Sequence, residues 1–165
     1  MLLLDSCTAL PPGEEGRREA SIPAVPPLVR RAPARVIRTE WTFRAGDDEC
    51  TAIAAAAGTS LSVTVRRNTP IRLMLLLPSS SNAPSLPVRF RGPAGGWVAS
   101  ARRFGARQLN VTLGADQDAL SRVLVLLNGG TLQVGEPAQP IALFVIRPSE
   151  AQGQGWFDCA REKML

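Results

Sequence analysis

Short segments in which apolar and polar residues alternate, separated by glycine and proline, fill the chain from residue 36 onwards. In the clearest of them, 60–67, Leu61, Val63 and Val65 share one side, and serine and threonine take the other. A period of two places one side of a strand in a core and the other in solvent. Counting such segments gives about eight or nine short strands, which predicts a mainly β domain, either an antiparallel sandwich or an open barrel.

One helix is predicted, near 116–128. Asp116 suits the N-cap position, because its carboxylate can accept a bond from a free backbone N–H of the first turn. Leu120, Val123, Leu124 and Leu127 then recur at helical spacing, and Asn128 with the two glycines after it supplies the left-handed stop. The end of the chain, 149–165, is predicted to be a loop that contains at most a short helical turn.

The chain divides by composition into an arm and a domain. Residues 1–35 are rich in proline, arginine and glutamate and hold few large apolar side chains. Such a segment buries too little apolar surface to offset the entropy lost on ordering, so it is predicted to be a disordered arm. Residues 36–165 are predicted to form a single β-rich domain, as expected for a chain of 165 residues.

Two of the three cysteines lie near opposite ends of the predicted domain. Cys50 begins the second predicted strand, and Cys159 follows the last one. A disulfide between them would join the ends of the domain, and it would indicate an oxidising compartment. The alternative is a pair of reduced core thiols in a cytosolic protein.

The third cysteine, Cys7, ends the segment MLLLDSC. An apolar run, a small residue and a cysteine resemble the lipid-attachment box of a bacterial lipoprotein signal. On this hypothesis the true start lies upstream, Cys7 carries a lipid that attaches the protein to a membrane, and the arm is the remnant of the signal plus a linker. The alternatives are a trimmed ordinary signal and an apolar N-terminus that arose by chance on a cytosolic protein.

The residue inventory argues against an enzyme. The chain contains no histidine, which removes the commonest general base and metal ligand, and Lys163 is its single lysine. Three cysteines without close pairing do not make a zinc site, and a cysteine nucleophile would lack a histidine partner. We therefore predict no catalytic residues, no metal and no cofactor.

Arginine supplies almost all of the positive charge, and the formal net charge is +5. The arginines are scattered and not interleaved with aromatic residues, which argues against a nucleic-acid partner. Trp97 lies close to Arg89, Arg91, Arg102 and Arg103 on neighbouring predicted strands. These five residues form a candidate binding surface, and the alternative is a set of ordinary solvent-facing arginines.

The segments ALSRVLVLLNGGTLQV (119–134) and IALFVIRP (141–148), with Trp41 and Cys50 upstream, resemble the invasion-associated locus B family. The resemblance covers about residues 41–147. It implies a secreted or periplasmic bacterial protein that is β-rich, contains disulfides and has a non-enzymatic role at the cell envelope.

Three functions are consistent with these observations. The first is an envelope-associated structural or interaction module, periplasmic or attached to the outer membrane, with a protein partner at the envelope. The second is a sandwich that binds a small molecule or a glycan on a concave face lined by Trp97. The third is a cytoplasmic β-rich protein.

Overall fold

The computed structural model describes residues 33–164, and these form nine strands and two helices. The mainly β class is confirmed. In chain order the elements are β1 (Arg35–Ala45), β2 (Glu49–Ala56), β3 (Thr59–Arg66), β4 (Ile71–Leu76), β5 (Ser85–Gly92), β6 (Gly95–Arg103), β7 (Gln108–Gly114), α1 (Gln117–Leu127), β8 (Gly130–Glu136), β9 (Gln139–Ile146) and α2 (Glu150–Met164).

The nine strands close into a barrel in the order β1-β2-β3-β4-β7-β6-β5-β8-β9. Eight of the nine junctions are antiparallel, and β1 pairs with β9 in parallel. Of the two predicted architectures, a sandwich and an open barrel of eight or nine strands, the barrel is confirmed, and its closure and parallel pair are additional findings. Parity gives the reason: when an odd number of strands alternates in direction around a ring, its first and last members must point the same way.

Side-chain alternation fills the barrel interior. Leu61, Val63 and Val65 are fully buried, as the alternation predicts, and the intervening polar side chains lie on the outer surface. Phe90 and Phe144 are the bulkiest of the fully buried residues, and Phe90 stacks on Trp97 with 5.7 Å between ring centroids. Aliphatic and aromatic side chains thus occupy the interior as a packed core.

The predicted helix is confirmed as α1. The carboxylate of Asp116 accepts a hydrogen bond of 2.8 Å from the backbone N–H of Ala119, and Gly129 after the helix has φ +83°. The apolar side of α1 buries Leu120, Val123 and Leu126 against the barrel. The helix therefore covers part of the barrel end at which β5 and β7 finish and β6 begins.

Removing this cap tests the assignment. We expect Asp116→Ala to lower the free energy of unfolding by about 1 kcal/mol, because the N–H of Ala119 loses its acceptor. Asp116→Asn keeps an acceptor oxygen at the same place, so it should lower the free energy of unfolding by only a few tenths of the amount expected for Asp116→Ala. Equilibrium urea unfolding of the two variants measures the difference, and equal losses would contradict the cap.

The second helix corrects the sequence prediction for 149–165. α2 spans Glu150–Met164, although two of its residues, Gly153 and Gly155, disfavour a helix. Packing outweighs propensity here, because α2 buries Trp156 and Ala160 against the barrel. Position 153 also has no room for a larger residue, because an added methyl group there would clash with the Ser149 hydroxyl.

A disulfide joins Cys50 to Cys159, as predicted, with their Cα atoms 6.2 Å apart. It ties α2 to the start of β2, and it is compatible with an oxidising compartment outside the cytoplasm. The predictions for Cys7, and for the arm up to residue 32, fall outside the described residues.

Candidate functional site

Trp97 occupies the barrel interior. Its side chain is 9% exposed, it stacks on Phe90, and its indole N–H donates a hydrogen bond of 3.1 Å to the backbone oxygen of Arg122 in α1. The tryptophan therefore belongs to the core and joins the barrel to α1. Its buried ring contributes little surface, although Trp97 lines a depression of about 280 Å³ together with Arg89 and Arg91, so its place in the predicted binding surface stays a prediction.

The four arginines of the predicted binding surface lie on the adjacent strands β5 and β6. Arg89, Arg91 and Arg102 follow the parity of the outer face, since their neighbours Phe90 and Ala101 are buried. By the alternation along β6, Arg103 belongs to the set of side chains that face the barrel interior. It is nevertheless exposed, because it is the last residue of the strand. The structure thus places three of the predicted arginines on one outer surface, and their role in binding stays a prediction.

A wider charge pattern surrounds them. Between Glu49 and Asp116 the chain contains no acidic residue at all. In the barrel this interval forms β2 after Glu49 and then five consecutive strands, in the order β3-β4-β7-β6-β5. We call these five strands and their connecting turns the basic sector. Its arginines are Arg66, Arg67, Arg72, Arg89, Arg91, Arg102, Arg103 and Arg107. Following acidic residues as well as arginines along the sequence would have revealed this sector.

Two of the eight arginines have structural partners. Arg66 forms an ion pair of 2.6 Å with Glu49, and Arg107 donates hydrogen bonds to the backbone oxygens of Leu77 and Gly58. The other six form no ion pair with any residue of the described range 33–164. These six are Arg67, Arg72, Arg89, Arg91, Arg102 and Arg103.

Within the basic sector, the barrel wall is incomplete between β6 and β7. These strands pair at only two positions, Arg102 with Asn110 and Arg103 with Leu109, whereas β5 and β6 pair along eight. Beyond Arg102 the two strands separate towards the end of the barrel that α1 covers. We call this separation the seam.

The seam opens into a groove of about 560 Å³. Its walls come from β6, β7 and α1 and consist of Val98, Ala99, Ser100, Arg102, Asn110, Thr112 and Arg122. Within the described chain, the side-chain oxygen of Asn110 is buried and has no hydrogen-bond partner. Arg122 is held by Asp118 at 2.7 Å, so Arg102 contributes the uncompensated charge of the groove. The groove therefore combines a cation, an amide and two hydroxyls.

A second depression, of about 370 Å³, lies between β1 and the start of α2. Trp41 stacks on Phe43 at 5.6 Å there, and its indole N–H donates to the backbone oxygen of Arg147. Arg147 itself pairs with Glu40 at 3.7 Å. Glu150 is the remaining charged residue of the lining, so this depression carries an excess of negative charge, whereas the basic sector carries only positive charge.

Within residues 33–164, no group of histidine, cysteine or acidic side chains is arranged to hold a metal ion. Neither helix of that range is long and apolar enough to cross a membrane. No protein-family model, curated protein or solved structure matches this chain.

Proposed function

We propose that this domain is a non-catalytic interaction module of an extracytoplasmic compartment, and that it binds an acidic protein through its basic sector. The observation that carries the proposal is a group of six arginines that have no ion-pair partner within residues 33–164 and lie on strands and turns that contain no acidic residue. Outside this sector, Arg122, Arg147 and Arg161 each have a carboxylate within 4.0 Å. The three arginines of β1 have no ion pair within residues 33–164, but they share their strand with an acidic residue, Glu40.

Charges of one sign on one surface produce a field that attracts a partner of opposite sign. The barrel meets an acidic partner with little rearrangement, since the arginines project from paired strands. Complementary surface charge accelerates association and makes it sensitive to salt, while each exposed ion pair contributes little to affinity. The proposed complex is therefore fast to form and weakened by salt.

An acidic protein fits this sector better than a nucleic acid does. Bases of a single strand stack on exposed aromatic rings. The basic sector contains three aromatic residues, and Phe90 and Trp97 are buried, which leaves Phe104. Guanidinium groups match the planar carboxylates of aspartate and glutamate. The free strand edges along the seam favour a partner that has a peptide backbone of its own.

The compartment belongs to the same proposal. A disulfide between Cys50 and Cys159 supports a location in the periplasm or at the outer membrane, where thiols are oxidised. Attachment through a lipid on Cys7 remains part of this hypothesis. The acidic partner would then be a protein of the cell envelope.

The proposal is tested by removing charge from the basic sector. We expect the triple variant Arg89→Gln, Arg91→Gln and Arg102→Gln to bind a short poly-L-glutamate about tenfold more weakly than the unmodified chain, because three ion pairs of about 0.5 kcal/mol each are lost. Fluorescence anisotropy of the labelled polymer at low and moderate salt measures the effect.

The matched control removes the same charge from another part of the barrel. Arg35, Arg38 and Arg44 lie exposed on β1, so their triple glutamine variant changes the net charge equally and should bind nearly as well as the unmodified chain. Equal weakening in both triples would contradict the proposal. Tighter binding of a single-stranded DNA or of phosphatidylglycerol vesicles than of poly-L-glutamate, at matched charge, would also contradict the proposal.

A further inference from the structure

We propose that the seam between β6 and β7 receives one extended acidic segment of the partner, which adds to the free edge of β6 as an extra strand. This inference deepens the proposed function, since it rests on that function for the sign of the partner's charge. It adds where the partner binds and in what conformation.

The hydrogen bonds at the end of β6 show which backbone groups face the seam. The N–H of Arg103 bonds to Pro84 on the β5 side, and the N–H of Phe104 bonds to Gln108 on the β7 side. Because these directions alternate along a strand, odd-numbered residues of β6 face β5 and even-numbered ones face β7. The N–H and C=O groups of Gly96, Val98 and Ser100 therefore point into the seam.

The same reasoning applies across the groove. The N–H of Leu77 bonds to the backbone oxygen of Arg107, so odd-numbered residues of this segment face β4 and even-numbered ones face β6. Thr112 thus directs its backbone towards the seam from the opposite side. In the described chain, no backbone hydrogen bond outside the regular ladders involves residues 96–101 or 111–113.

These free groups form a short strand edge within an otherwise closed barrel. An edge of this kind is a template for another strand, since the added backbone supplies the missing donors and acceptors. Val98 is 57% exposed on the outer face of this edge and offers an apolar contact to a neighbouring side chain. The edge spans about five residues, which is a usual strand length.

The groove side chains indicate an acidic segment. An added strand presents alternate side chains on the outer face of the barrel, where Arg102 has no carboxylate partner within residues 33–164. The amide of Asn110, whose oxygen is buried without a partner, can donate to or accept from such a segment. A small anion would gain less, since Arg122 is already paired with Asp118 and Arg102 is the one cation of the groove without an ion pair in the described range.

Amide hydrogen exchange of the oxidised full-length chain, followed by NMR, tests strand addition directly. The probe is a hexapeptide of alternating glutamate and threonine. In the free protein we expect the amides of Trp97, Ala99 and Ala101 to exchange slowly, because they face β5, and those of Val98 and Ser100 to exchange fast. Saturating peptide should slow Val98 and Ser100 at least tenfold and leave the other three unchanged.

Two variants complete the experiment. Ser100→Pro removes one seam-facing N–H and no bond to β5, so it should fold and bind the hexapeptide at least fivefold more weakly. Arg102→Gln should weaken the hexapeptide similarly, whereas Arg44→Gln on β1 should not. Circular dichroism and thermal unfolding establish that each variant is folded. A Ser100→Pro chain that does not fold leaves the exchange measurement to decide.

The outcomes separate this inference from the proposed function. Binding of the hexapeptide without slower exchange at Val98 and Ser100 would overturn strand addition and leave the charge-based function standing. A glutamine–threonine hexapeptide that binds as well as the acidic one would overturn the acidic requirement. Absence of binding to both the hexapeptide and poly-L-glutamate would overturn both proposals.

Discussion

Replacing Cys50 and Cys159 together by alanine is expected to lower the free energy of unfolding by about 4–5 kcal/mol. The two cysteines are 109 residues apart in sequence, so their bond restricts most of the unfolded domain. On the chain-entropy model a loop of this length gives the upper part of the range seen for single disulfides. Urea unfolding of the double variant and of the oxidised parent measures the difference.

Part of this loss of stability should affect α2 more than the rest of the domain. That helix contains two glycines, and the disulfide attaches it to β2. We expect the double variant to lose helical circular dichroism at a lower urea concentration than it loses strand signal. Reducing the parent with dithiothreitol should reproduce the variant.

Cys7→Ser provides the matched control, because it removes the third cysteine and spares the pair. It should unfold like the parent and show no free thiol after denaturation, where a parent produced without a lipid on Cys7 shows one. A loss below about 1 kcal/mol in the double variant would mean that the disulfide adds little to stability.

Trp97→Ala is expected to lower the free energy of unfolding by about 3–5 kcal/mol, the cost of removing a large aromatic side chain from a core. The ring is 9% exposed, stacks on Phe90 and holds α1 through Arg122. Alanine would leave a cavity below the point where α1 meets β6. Urea unfolding followed by Trp41 and Trp156 fluorescence measures the loss.

Trp97→Phe distinguishes the contribution of aromatic packing from that of the indole hydrogen bond. Phenylalanine keeps an aromatic contact with Phe90 and loses the indole N–H, which should cost about 1 kcal/mol for the bond, together with a smaller packing loss. Because Trp97 faces the interior, this variant should bind poly-L-glutamate as tightly as the parent. Weaker binding by a folded Trp97→Phe chain would support a place for the tryptophan in the binding surface.

The sequence predicted the strands and the first helix because both depend on local patterns. Alternation around Leu61 and Val63 reports which side of a strand is buried, and Asp116 with Gly129 marks the two ends of α1. Alternation says nothing about which strand lies next to which. Barrel closure was therefore not predicted, and α2 was missed because its glycines hide a helix that packing stabilises.

The candidate site divides in the same way. Arg89, Arg91 and Arg102 were identified because they lie close together in sequence. Trp97 was placed with them because a single alternating strand does not reveal whether a large ring at its start faces inward. The seam depends on how far β6 stays paired with β7, and pairing between two strands has no local sequence signal.

The parallel junction of β1 with β9 has a consequence for how this chain acquires its fold. The paired residues, such as Val36 and Leu143, are separated by about a hundred positions, so the junction can form only after nearly the whole domain has been synthesised. Contacts between such distant residues slow folding. Because the first and last strands of the domain complete the ring together, the barrel should close late and cooperatively, and the last contacts to form should be those between the two ends of the domain.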